Sequence, residues 1–83
     1  MVAVSPIQIQ NQALSMIKMG EMGIVACFTN DSIGNKLMSM GLMPGSSVKL
    51  IRKTPLGSTF YIKINDQFYM ALRKQEAACI ILK

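Results

Sequence analysis

The sequence predicts a mainly β domain: a small five-stranded barrel with one short helix between the first two strands and a helical turn before the last. Three observations lead there. Short apolar runs are separated by clusters of Gly, Pro, Asn, Asp and Ser, the punctuation of strands and tight turns. One run, Phe60–Ile64, alternates strictly between apolar and polar positions, the period of a strand with one face on a core. Hydrophobic residues make up 51% of the 83-residue chain and charged residues 16%, enough for one core and too apolar for disorder.

Residues 1–13 are polar, with Gln8, Gln10 and Gln12 alternating with Ile7 and Ile9, and are expected to form a flexible arm ahead of a domain spanning 14–83. Leu14–Gly20 reads as a short turn stopped by glycine. Met22–Phe28 reads as the first strand. Asn30, Asp31 and Ser32 are helix N-caps, since their side-chain oxygens can accept from the free amides of a first turn. Ile33, Leu37 and Met40 then share one helical face, with Gly34 weakening the helix by about 1 kcal/mol relative to alanine. Gly41 fits a left-handed stop, and Pro44 with Gly45 bars any continuation.

Val48–Arg52 is the second strand, and Thr54–Ser58 a turn in which Pro55 presets its φ and Gly57 accepts a positive one. In Phe60–Ile64, Phe60, Ile62 and Ile64 face inward while Tyr61 and Lys63 face out. Asn65–Gln67 makes a hairpin turn into Phe68–Leu72. A helical turn, Arg73–Ala78, precedes a closing strand, Cys79–Leu82. The strand count and turn spacing fit an SH3-like barrel, which closure would rid of exposed edges, better than an OB fold, which calls for longer strands.

A membrane span needs about 20 consecutive apolar residues. The longest runs, Gly23–Phe28 and Ala77–Leu82, fall far short, and Met1–Pro6 lacks the basic and apolar regions of a secretory signal. A cytoplasmic protein is expected. Cys27 and Cys79 each sit in an apolar run and read as buried core thiols; a disulfide between them requires neighbouring strands. The net charge of +5 is spread over Lys18, Lys36, Lys49, Arg52, Lys53, Lys63, Arg73, Lys74 and Lys83, a dispersal that reads as a solvated surface.

The residues for catalysis are missing. With no histidine there is no ordinary neutral-pH base and no Ser-His or Cys-His pair. Of four carboxylates, Asp31 and Asp66 fall at cap and turn positions, leaving Glu21 and Glu76 without a cleft around them. Gly41 and Gly45 lack the Lys-Ser/Thr of a phosphate loop. No enzyme, cofactor or metal site is expected. Met16, Met19 and Met22, and again Met38, Met40 and Met43, cluster as soft thioethers would for Cu(I), but methionines more simply fill gaps and line adaptable surfaces.

The stretch Lys36–Leu50, with Gly41-Leu42-Met43-Pro44-Gly45 at its centre, resembles the FeoA family of ferrous iron transport proteins. The resemblance continues through Leu14…Gly20-Glu21…Gly23 upstream, and through Pro55-Leu56-Gly57, Ala71-Leu72-Arg73 and Glu76-Ala77…Ile80 downstream. The same domain follows a DNA-binding domain in some metal-dependent repressors; no winged-helix segment precedes it here, which implies the stand-alone form. The resemblance implies an SH3-like barrel in the cytosol that supports or regulates FeoB, the membrane ferrous iron transporter with a cytoplasmic G-protein domain. Contact with the membrane would then come only through that partner.

Arg73 matches the family's arginine, though the plainer reading of it is a helix cap or a surface ion pair. Leu56, at the tip between Pro55 and Gly57, is expected to join Met43 in an apolar docking patch ringed by Lys53, Arg73 and Lys74, with Gly41, Pro44 and Gly45 as structural turn residues. Two alternatives follow from the residues themselves. Tyr61 and Tyr69 beside Lys63 would suit a small nucleic-acid-binding barrel, although no nucleic acid is expected on the family reading. The methionine clusters would suit a soft-metal carrier.

Overall fold

In the computed structural model, which describes residues 12–83, the alternating segment becomes the strand next to one edge of a curled antiparallel sheet. The elements run β1 (Gln12–Ala13), a 3-10 turn (Leu14–Met16), β2 (Met22–Phe28), α1 (Asp31–Ser39), β3 (Ser47–Lys53), β4 (Thr59–Ile64), β5 (Phe68–Arg73), α2 (Lys74–Ala78) and β6 (Ile80–Leu82). The five expected strands are β2 to β6. The sixth, β1, lies within the segment read as an arm, where Gln12 and Ala13 pair with Leu82 and Ile81; the rest of that segment, residues 1–11, lies outside the described residues.

The strand order is β1-β6-β2-β3-β4-β5. The two ends of this series are not bonded to each other among the described residues, so the expected closed barrel is a curled sheet with two edges. Curling happens at β2. Met22, Gly23 and Ile24 pair with β3, whereas Val25, Cys27 and Phe28 pair with β6, and a bulge between Val25 and Cys27 turns the corner. Gly23 lets β6 lie close against β2 here, since a β-carbon there would lie 3.2 Å from Leu82 Cβ.

The core fills the concave side. Leu14, Val25, Leu37, Leu42, Val48, Leu50, Phe60, Ile62, Ile64, Leu72, Ala77 and Ile80 are buried, and the inward set of Phe60, Ile62 and Ile64 is as the alternation predicts. Two expectations fail. Cys27 is exposed because Val25 takes the core side of β2, and Cys79 is half-buried because it caps α2 just before the core positions Ile80 and Leu82 of β6. Met40 is exposed as well: it is the C-cap of α1, past the buried face that Gly34 and Leu37 provide.

Helix α1 begins and ends on sequence signals. Asn30 Oδ1 accepts from Ile33 N at 2.9 Å. At the other end, Leu42 N donates to Leu37 O (2.9 Å) and Gly41 N to Met38 O (3.0 Å), with Gly41 at φ +102°. This pair of bonds is the Schellman arrangement, and buried Leu37 and Leu42 supply its hydrophobic contact. The β4–β5 turn uses Asn65 (φ 51°) and Asp66 (φ 58°), two residue types that tolerate the left-handed region.

Candidate partner-docking surface

Leu56 is held in solvent by a rigid turn. Thr54, Pro55, Leu56 and Gly57 occupy its four positions, closed by Gly57 N donating to Thr54 O at 2.7 Å. Pro55 sits where its fixed φ is preset, and Gly57, at φ +72°, takes the left-handed step that lets the chain rejoin β4. Thr54 Oγ1 accepts from Ser58 N and Thr59 N, each at 3.2 Å, and Thr54 N donates to Thr59 O at 3.0 Å. These bonds leave the side chain of Leu56 nothing to pack on. It is 92% exposed, the most exposed large apolar side chain among the described residues.

The turn is tied to α2 by Lys74 N donating to Ser58 O at 3.1 Å. Between them lies an open groove of about 450 Å³, lined by Leu56, Gly57, Ser58, Lys74, Gln75 and Ala78. Lys74 and Ala78 are one helical turn apart and so share a face of α2. Ser58, Gln75 and Ala78 escape a reading by sequence; the i, i+4 spacing within α2 is the signal that finds Ala78.

Arg73 is the N-cap residue of α2. Its amide donates to Glu76 Oε1 at 2.9 Å, while Glu76 Oε2 accepts from Lys36 Nζ at 2.8 Å, joining α1 to α2. These two bonds hold the Glu76 carboxyl below the usual carboxylate value, the Lys36 bond most of all. The Arg73 side chain is exposed beside the groove and makes no ion pair. Lys53 is half-buried, with Nζ 5.6 Å from the centre of the Phe60 ring, and closes the core at this end of the sheet.

Met43 lies elsewhere. It precedes β3 whereas Leu56 follows it, so the seven residues of β3, about 23 Å of strand, separate the two. Met43 is exposed, in a turn with Pro44 and Gly45 (φ +94°) that Ser46 closes by accepting from Met43 N at 3.1 Å. The expected patch therefore divides: Leu56, Gly57 and Lys74 come together, Pro55, Lys53 and Arg73 adjoin them, and Met43 stands with the structural turn at the opposite end.

Among the described residues, no three His, Cys, Asp or Glu side chains gather as a metal ion would need, and no helix is long and apolar enough to cross a membrane.

The family model of the FeoA domain matches residues 12–83. This chain belongs to the FeoA family. Its fold is shared with an FeoA-like protein from Clostridium acetobutylicum, with a TM-score of 0.80 at 22% identity over 88% of this chain and 85% of that one. A crystal structure of FeoA, an iron uptake regulatory protein, is 28% identical over 90% of this chain and 97% of that one, with a TM-score of 0.75. The zinc-complexed FeoA of Stenotrophomonas maltophilia, a prokaryotic SH3 domain protein, is 23% identical over 87% and 89%, with a TM-score of 0.73. The SH3-like class read from strand count and turn spacing is thus the family's fold, and the family is one associated with ferrous iron transport.

Proposed function

We propose that this FeoA-family protein docks on the cytoplasmic part of a FeoB-type ferrous iron transporter and supports or regulates it by contact, with Leu56 as the anchor. Leu56 itself carries the reading. An isolated exposed leucine is ordinary on a protein surface, but this one is fixed at the tip of a turn that five hydrogen bonds make rigid, counting the tie to α2. A rigid apolar tip loses little conformational freedom on binding, which is what an interface anchor requires. Beside it, the groove floor of Gly57 and Ala78 is small enough to admit a partner's side chain, and Lys74 and Arg73 add positive charge at its rim.

The description of the Stenotrophomonas protein as a candidate ferrous iron transport activating factor supports a role exerted on the transporter, not on iron directly. So does the donor set of this chain, in which the hard oxygen ligands suited to iron are few and dispersed. The test is co-purification of the transporter from detergent extracts by the full-length protein. Retention by wild type and loss with Leu56→Asp is the expected result; equal retention by both removes Leu56 as the anchor.

A further inference from the structure

The convex face of the sheet carries a second surface, which meets the Leu56 groove only at Arg73 on its rim. Residues that alternate with the core on β2 to β5 form two rows across the strands. Met22, Lys49, Lys63 and Tyr69 are successive partners in the first row. Arg52, Tyr61 and Ala71 are successive partners in the second, and Arg73 extends the face beyond Ala71. Lys63 is half-buried and the others are exposed, with Met22 at 59%, Tyr61 at 41% and Tyr69 at 67%.

Between the rows the β3–β4 register slips, so that Ile51 has no partner residue on β4. A bulge of this kind re-aims a side chain. Here it leaves Ile51 40% exposed, in an open depression with Arg52, Thr54 and Tyr61. Four cations, Lys49, Arg52, Lys63 and Arg73, thus share a face with two tyrosines, an isoleucine and a methionine. No carboxylate stands in either row. Glu21 and Asp66 lie at its margins, and the Glu21 carboxylate already accepts from Lys18 N at 2.6 Å. None of the four cations is in an ion pair; the one pair among the described residues joins Lys36 to Glu76.

We propose that this face rests on the anionic phospholipid headgroups of a membrane. Charge complementarity selects an anionic surface, and the apolar residues select lipid over nucleic acid. Binding of single strands relies on stacking of bases on aromatic rings. Ile51 and Met22 offer no such stacking, and Lys63 Nζ already lies 5.6 Å from the centre of the Tyr69 ring. A headgroup layer uses all of these groups: lysine and arginine for the phosphates, tyrosine at the interface, and an aliphatic side chain inserted shallowly. The inference stands apart from docking through Leu56, and it gives this chain a direct contact with lipid where the sequence leads one to expect contact only through a partner.

The test is co-sedimentation of the full-length protein with vesicles of phosphatidylglycerol and phosphatidylcholine in equal parts, against phosphatidylcholine alone. Binding to the anionic vesicles only, weakened by added salt, is expected. Each cation near such a surface contributes about fivefold, so Lys49→Gln with Lys63→Gln is expected to reduce partitioning about 25-fold. Ile51→Ser is expected to reduce it severalfold at low salt. Leu56→Ser, which adds no charge, is expected to bind vesicles as wild type does, which separates this surface from the transporter anchor. Failure to sediment with anionic vesicles, or unchanged partitioning of the folded double variant, overturns the proposal. Tighter binding to oligothymidylate than to the vesicles overturns it in favour of nucleic acid.

Discussion

A β-carbon on Gly34 would lie 3.0 Å from Phe28 Cβ, so α1 packs onto the end of β2 at a distance that leaves a larger residue almost no room. Two effects of opposite sign meet at this residue. Alanine would favour the helix by about 1 kcal/mol. Overpacking against a side-chain root that cannot swing away costs typically 1–3 kcal/mol. Packing is expected to win. Gly34→Ala should lower stability by about 1 kcal/mol, read as a fall in thermal midpoint of about 4–8 °C. A midpoint at or above that of wild type would mean that α1 stands off from Phe28.

Glu76 makes stability depend on pH in a defined direction. Its carboxyl, held below the ordinary value of 4.5 by Lys36 and by the Arg73 amide, favours folding when ionised. That contribution is fully present above pH 4.5 and disappears as pH falls through the lowered folded-state value. Lys36 is 60% exposed, so the contribution is limited to about 1 kcal/mol or less. Glu76→Gln keeps an acceptor for the Arg73 amide and removes the charge. The variant should melt slightly below wild type at neutral pH, and the two should converge on acidification. A difference that grows at low pH contradicts the assignment.

The cysteines give a chemical test of the sheet's two faces. Cys27 lies on the outward side of β2, opposite Ile81, while Cys79 caps the end of α2 half-buried. Thiol reactivity follows access to the thiolate. In the native protein Cys27 should be alkylated first, and Cys27→Ser should abolish the fast phase. A single slow phase for both thiols would place Cys27 inside.

Much of this architecture is legible in the sequence because local and global signals agree. Asn30, Gly41 and Pro55-Leu56-Gly57 name their own backbone geometry, and the alternation in Phe60–Ile64 names its buried face. The signals that fail are those set by partners distant in the chain. Cys27 looks like a core residue until the bulge beside it fixes which side of β2 faces in. Gly34 reads as a weak point in a helix because Phe28, its reason for being there, is met only in the fold.

The proposed docking surface divides in the same way. Leu56 is evident from its turn, whereas Lys74 and Ala78 become its neighbours only through the bond from Lys74 N to Ser58 O. Met43 reads as a companion to Leu56 when both are taken simply as exposed apolar loop residues. The length of β3 between them decides otherwise. The rows of cations and tyrosines on the convex face are likewise dispersed in sequence and assembled only by strand register.

The most direct measurement compares two variants at opposite ends of β3 for affinity to the isolated cytoplasmic G-protein domain of the proposed partner, a FeoB-type transporter. Removing a central apolar anchor costs at least 2 kcal/mol, so Leu56→Asp is expected to weaken binding by about 30-fold or more. Met43→Asp, at the far end, should bind as wild type does. Equal affinities for wild type and Leu56→Asp, or a loss confined to Met43→Asp, would contradict docking through the Thr54–Ser58 turn.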